Sequence, residues 1–230
     1  MGLFDTILGR TKPVRANLDA LFALPPAAVT LQVTSGLVST GRAGVCFKPP
    51  AGQPFAEMQA ELEQLLATPD EPVPPAPPGA PGAPTPGGSA VAVRHVGDKF
   101  GYRWIVLEAG AVDDLVTRVH MVHSSLQDAG WSTQLLCSVF GFAPGTGPDA
   151  SGAPGALGAP DAATAGDDTI TRPVYLVYLA KQGSFYPFAP IADDQRDSEL
   201  ELRLRSLLAQ DLPVEADLSR WFPIWDLPIS

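Results

Sequence analysis

The run Tyr175-Leu176-Val177-Tyr178-Leu179 is apolar at every position. A strand with one solvated face alternates apolar and polar residues. A strand that does not alternate belongs in the middle of a sheet and is covered on both faces. Any fold of this chain must therefore supply a sheet around residues 172–180 and enough other elements to cover it.

The rest of the chain offers those elements. Asn17 reads as the cap of a helix carrying Leu18, Leu21 and Phe22, ended by Pro25-Pro26. Val29–Val33 alternates as a strand, and Gly44–Lys48 is a second, with Gly36 and Gly41 in the connection. Pro54 sits at a helix start, and Phe55, Met58, Leu62, Leu65 and Leu66 form a stripe at helical spacing. Val91–Val96 and Tyr102–Glu108 flank Gly97-Asp98-Lys99 as a hairpin. A helix is predicted from Val112 to Ala129, with Gly130 as the residue that ends it. Thr133–Phe142 and Arg172–Ala180 are the two strongest strands. A last helix spans about Asp194 to Gln210, with Leu200, Leu204, Leu207 and Leu208 on one face. This order predicts one α+β domain over 1–230, with a mainly antiparallel sheet built from ββα units and helices packed on one face. By fold-level analogy it is similar to small secretion chaperones.

Two tracts interrupt the pattern. Residues 68–90 and 143–170 are rich in Pro, Gly and Ala and carry no hydrophobic period. They cannot bury enough apolar surface to offset the entropy of ordering, so both read as disordered inserts. They also hold Asp70, Glu71, Asp149, Asp161, Asp167 and Asp168 and no Lys or Arg, so the net charge of −10 falls to about −4 in the foldable part. With no basic stripe to displace counterions, nucleic acid is not expected as a partner.

Residue types that carry chemistry are few. Cys46 and Cys137 each lie in an apolar, strand-like run and read as reduced core thiols; a disulfide between them or a catalytic thiol is the other reading. His120 and His123, i and i+3 on one helix, could face a metal together, although a hydrogen-bonded core histidine needs no metal. Asp113-Asp114 and Asp193-Asp194 begin helices, where the helix dipole accounts for them. No P-loop, nucleophile elbow or His-Glu-x-x-His pattern occurs, so the expectation is a non-enzymatic protein without cofactor or metal. The alternative is an enzyme or metal-dependent regulator using Cys46, Cys137, His120 and His123.

The strongest local signals are two aromatic–proline clusters, Phe185-Tyr186-Pro187-Phe188-Ala189-Pro190 and Trp221-Phe222-Pro223-Ile224-Trp225. Proline breaks helices and central strands, so neither cluster is an ordinary core element. Rings on a stiffened backbone can plug a core, with the tail wrapping back over the sheet edge or the groove between helices. They can equally anchor a partner. Phe185, Tyr186, Phe188, Trp221 and Trp225 are the candidate partner surface or its immediate support. The N-terminus adds a second candidate contact: residues 1–12 read as a short amphipathic helix with Leu3, Phe4, Ile7 and Leu8 on one face and Arg10 and Lys12 after it. That helix could dock on the domain or a partner, or lie on an anionic membrane. No apolar run approaches the length of a membrane span and no signal peptide opens the chain, so a cytoplasmic location is expected, with peripheral contact at the inner face of the plasma membrane as its variant.

At these residues the chain resembles a known family. Met1-Gly2-Leu3-Phe4-Asp5 through Gly9-Arg10-Thr11-Lys12-Pro13, Asn17-Leu18-Asp19-Ala20-Leu21-Phe22, Val45-Cys46-Phe47 and Ser124-Ser125-Leu126 carry the likeness. Gln134-Leu135-Leu136-Cys137-Ser138, Phe185-Tyr186-Pro187-Phe188-Ala189-Pro190 and Asp217-Leu218-Ser219-Arg220-Trp221-Phe222-Pro223 continue it. They are similar to the PspA-associated proteins, PspAB, of actinobacterial phage-shock (envelope stress) systems. The likeness covers nearly all of the foldable part and leaves out the two inserts. It implies a cytoplasmic accessory protein that binds PspA or an associated factor through an apolar surface, and it carries over no catalytic residues.

Overall fold

The computed structural model describes residues 18–49, 93–145, 170–192 and 194–229. The segment 1–12, Asn17, the helix expected after Pro54, the whole first Pro/Gly/Ala tract and most of the second lie outside these residues.

The chain enters through a 3-10 turn, Asp19–Ala23, that leads straight into helix α1, Leu24–Ser35. Here the structure corrects the sequence reading. Pro25 and Pro26 start a helix rather than ending one, and Val29–Val33 is helical rather than a strand. The reason is positional. Proline in the first helical turn lacks only a donor that has no intrahelical partner there, and its φ is preset for the helix. The alternation of Val29, Leu31 and Val33 is a by-product: Leu24, Ala27 and Leu31 are buried at helical spacing, while Val29 and Val33 are exposed. Gly36, left-handed at φ 64, ends the helix and sends its N–H back to the Gln32 carbonyl.

Six strands follow: β1 Leu37–Phe47, β2 Val93–Gly97, β3 Arg103–Glu108, β4 Leu135–Pro144, β5 Val174–Leu179 and β6 Ser184–Phe188. Helix α2, Val112–Asp128, lies between β3 and β4, and α3, Ser198–Leu208, follows β6. The strands form one sheet in the order β2-β3-β1-β4-β5-β6, and every neighbouring pair is antiparallel. The expected α+β sheet is present, as are the β2–β3 hairpin and the β4–β5 pairing across the second tract. β4 runs through Ala143 and Pro144, and Ile170 is buried, so both ends of that tract belong to the folded body.

The three helices pack on one face of the sheet. Their buried residues, among them Leu31, Val119 and Leu204, meet Val45, Ile105, Phe140 and Leu176. The alternate residues of the same strands, Cys46, Trp104, Val106, Cys137, Val139 and Val177, point to the other face, where Trp221, Leu227 and Ile229 of the C-terminal segment cover them. Leu176 and Val177, neighbours on β5, are thus both fully buried and face opposite layers. Each such aliphatic side chain contributes about 1.5–3 kcal/mol by burial.

Candidate functional site

The C-terminal segment is built around the edge strand β6. Lys181–Gly183 turns the chain back along β5, with the Gly183 N–H donated to the Leu179 carbonyl. Pro187, which has no N–H to give a ladder, is tolerated because β6 is the last strand of the sheet. Part of the free edge is closed by the chain itself. Phe185 N–H donates to the Pro213 carbonyl and Glu215 N–H to the Phe185 carbonyl, each at 2.8 Å, in a short parallel bridge. That arrangement hides backbone groups that would otherwise recruit another strand.

Alternation along β6 then divides the aromatic cluster. Phe185 turns to the helix face and packs on Tyr178 at 4.8 Å between ring centroids. Tyr186 and Phe188 turn to the other face. Tyr186 stacks on Trp221 at 5.7 Å, and its hydroxyl donates to the Phe222 carbonyl at 2.7 Å. Burial pushes the Tyr186 phenol well above the usual tyrosine range, so it stays a donor. Phe188 meets the edge of Trp225 at 5.2 Å.

Polar groups fix the segment in place, as they must where the backbone forms little more than one 3-10 turn and a short bridge. The Trp221 indole N–H donates to the Glu215 carbonyl at 3.1 Å. Arg196 donates to the Trp221 carbonyl at 2.6 Å and pairs with the buried Glu201 of α3 at 2.7 Å. Glu201 also accepts the Ala189 N–H. This Glu201–Arg196–Trp221 chain ties the helix layer to the tail layer around the sheet edge. Further on, Ile229 rests over Gly44 and Trp104: a Cβ at Gly44 would come within 3.2 Å of Ile229 and 3.0 Å of the Trp104 ring. Only a glycine in the middle of β1 leaves that seat open.

Of the predicted contact residues, Phe185, Tyr186, Phe188 and Trp221 are therefore buried in the chain's own body, and Trp225 is part-buried beside them. Leu3, Phe4, Ile7 and Leu8 lie outside the described residues. What reaches solvent beside the buried Trp221 is Phe222, 63% exposed, and Leu218, 50% exposed. Sequence reading grouped Phe222 with its neighbours and did not single it out. Its place directly after a buried Trp and before a Pro was the available signal. A second exposed apolar group, Phe22, Val29 and Val33, lies on the entry turn and α1.

The thiols and imidazoles do not converge. His123 is fully buried on the helix face, with Nε2 at 2.6 Å from Ser138 Oγ. Burial, with His120 nearby as a lesser cause, pushes its pKa down to about 3, so it is neutral. His120 packs against Phe22 at 5.2 Å, and His95 lies on β2. Cys46 and Cys137 are on the opposite face of the sheet, because Cys137 and Ser138 are consecutive strand residues. Among the described residues, no group of three or more His, Cys, Asp or Glu side chains could hold a metal, and no helix is long and apolar enough to cross a membrane.

No curated protein and no solved structure matches this chain. One family model does, that of PspAB, PspA associated protein B, and it matches residues 1–229. That match spans the entry turn, the sheet, the three helices and the C-terminal segment alike, and the chain belongs to the PspAB family.

Proposed function

We propose that this chain is a non-enzymatic adaptor of the bacterial envelope stress response, and that it binds PspA or a PspA-associated factor through an apolar patch on its C-terminal segment. The family match carries the partner. The patch is Phe222 and Leu218, with the exposed part of Trp225, held up by Trp221, Tyr186 and Phe188 beneath. An aromatic ring presented on a rigid, hydrogen-bonded support loses little entropy on binding, which is what a recognition anchor requires. The amphipathic N-terminal segment, Leu3, Phe4, Ile7 and Leu8, supplies the second contact. The protein acts in the cytoplasm and meets the inner face of the membrane through its partner.

A pull-down of PspA tests this with wild type, Phe222→Ala, Trp225→Ala and a deletion of residues 1–12. Phe222→Ala is expected to lose PspA at unchanged folding stability, since its ring is largely in water. Trp225→Ala is expected to lose both PspA and some stability. Equal recovery of PspA by all four proteins would remove the assigned surfaces, and no recovery by wild type would remove the partner.

A further inference from the structure

Cys46 and Cys137 lie 91 positions apart in sequence and face each other across the middle of the sheet. They are register partners in the antiparallel β1–β4 ladder. Their side chains emerge on the same face, both buried and both free thiols. Directly opposed residues on antiparallel strands have Cα atoms about 4.5–5.5 Å apart, which falls inside the roughly 4.4–6.8 Å span of a disulfide. Both side chains also belong to the one buried cluster on that face. Two features keep the pair quiet. The neighbouring Cys137 thiol, and after it burial, push the Cys46 thiol well above the ordinary thiol range. The C-terminal segment covers the same face, with Ile229 over Gly44 and against Trp104, the residues that flank Cys46 along β1 and across the β1–β3 ladder.

We propose that Cys46 and Cys137 are a reversible oxidation site, closed to a cross-strand disulfide by a hydroperoxide and gated by the C-terminal segment. The chemistry balances without further reactants. Either sulfur of the register pair can attack first with the same balance, for example Cys137. Its thiolate takes one oxygen of hydrogen peroxide, the O–O bond breaks, and the departing hydroxide is protonated to water, which leaves a sulfenic acid. The Cys46 sulfur then attacks Cys137, the S–O bond breaks, and a second water leaves as the S–S bond forms. In sum, two thiols are oxidised and one peroxide is reduced to two waters. A low-molecular-weight dithiol returns the pair to thiols and is itself oxidised to a disulfide. The bond would staple β1 to β4, the two central strands, beneath the tail that carries the aromatic patch.

The test uses the full chain, reduced and then treated with hydrogen peroxide. After alkylation and digestion, mass spectrometry should find a peptide linking Cys46 to Cys137 and no covalent dimer. The urea midpoint should rise on oxidation and return with dithiothreitol. Ile229→Ala should speed cross-linking several-fold, while Val33→Ser, on the other face, should leave the rate unchanged. In Cys46→Ser, a sulfenic-acid trap such as dimedone should label Cys137. The proposal fails if both thiols remain alkylatable under peroxide that oxidises the urea-unfolded chain. It fails equally if oxidation yields only separate sulfinic acids or intermolecular dimers. An Ile229→Ala rate equal to wild type would overturn the gating.

Discussion

The two faces of the sheet are covered in different ways. On one, three helices lay regular apolar stripes over Val45, Ile105, Phe140 and Leu176, and each helix satisfies its own backbone. On the other, a single irregular segment does the same task with few residues. It uses large rings, Trp221 on Tyr186 and Trp225 on Phe188, and borrows its hydrogen bonds from Arg196, Tyr186 and Arg94, whose guanidinium reaches the Pro228 carbonyl. A helix layer is redundant, since losing one contact leaves a cooperative element in place. A strap with few hydrogen bonds of its own depends on its anchors, so its stability is concentrated in a few side chains.

The sharpest way to break this comparison is Trp221→Ala. It removes a buried ring and an indole bond to Glu215, and should cost about 3–5 kcal/mol in urea unfolding. Leu204→Ala on the helix face should cost about 2–5 kcal/mol. If Trp221→Ala cost under about 1 kcal/mol, the tail would be an ornament and not a layer.

The next effect belongs to the helix face and is read against pH. His123 is neutral in the fold with a pKa near 3, against about 6.5 when unfolded. Between these values the unfolded chain binds the extra proton, so stability is full above about pH 6.5 and falls as pH drops toward 3. The loss should reach about 2 kcal/mol by pH 5, measured by urea titrations across that window. His123→Gln should flatten the slope above pH 5, where carboxylates contribute little. An unchanged slope would mean that His123 is not the group responsible.

Gly44→Val tests the seat under the tail. The new side chain would meet Ile229 and Trp104, and should cost about 1–3 kcal/mol as an overpacked position. Fluorescence of the tail tryptophans should shift toward solvent if Ile229 is displaced. The smallest effect is expected for Val33→Ser. As a residue 79% exposed, it should change stability by less than about 0.5 kcal/mol. A larger loss would mean that something in the full chain covers α1.

These two faces also divide what could be read in advance. The α2 and α3 stripes were legible because helical burial repeats every three to four residues within one element. The unbroken apolar β5 announced a sheet covered on both sides. The segment Val29–Val33 misled, because Val29, Leu31 and Val33 satisfy a two-residue period by chance while Pro25-Pro26 and Leu24, Ala27 and Leu31 obey the helical one. At the aromatic clusters the identities were plain but their direction was not. Phe185 and Tyr186 are adjacent, and strand alternation sends one to each face.

The sequence by itself determined the element types of the long periodic segments, the α+β class and membership of the PspAB family, since each is written in residues close together along the chain. Tertiary structure alone decided that β1 lies beside β4, that Cys46 therefore meets Cys137, and that residues 221–229 cross the face away from the helices. Strand order and the choice of cover depend on which apolar surfaces, some ninety residues or more apart, fit together when all are buried at once. No local period records that sum.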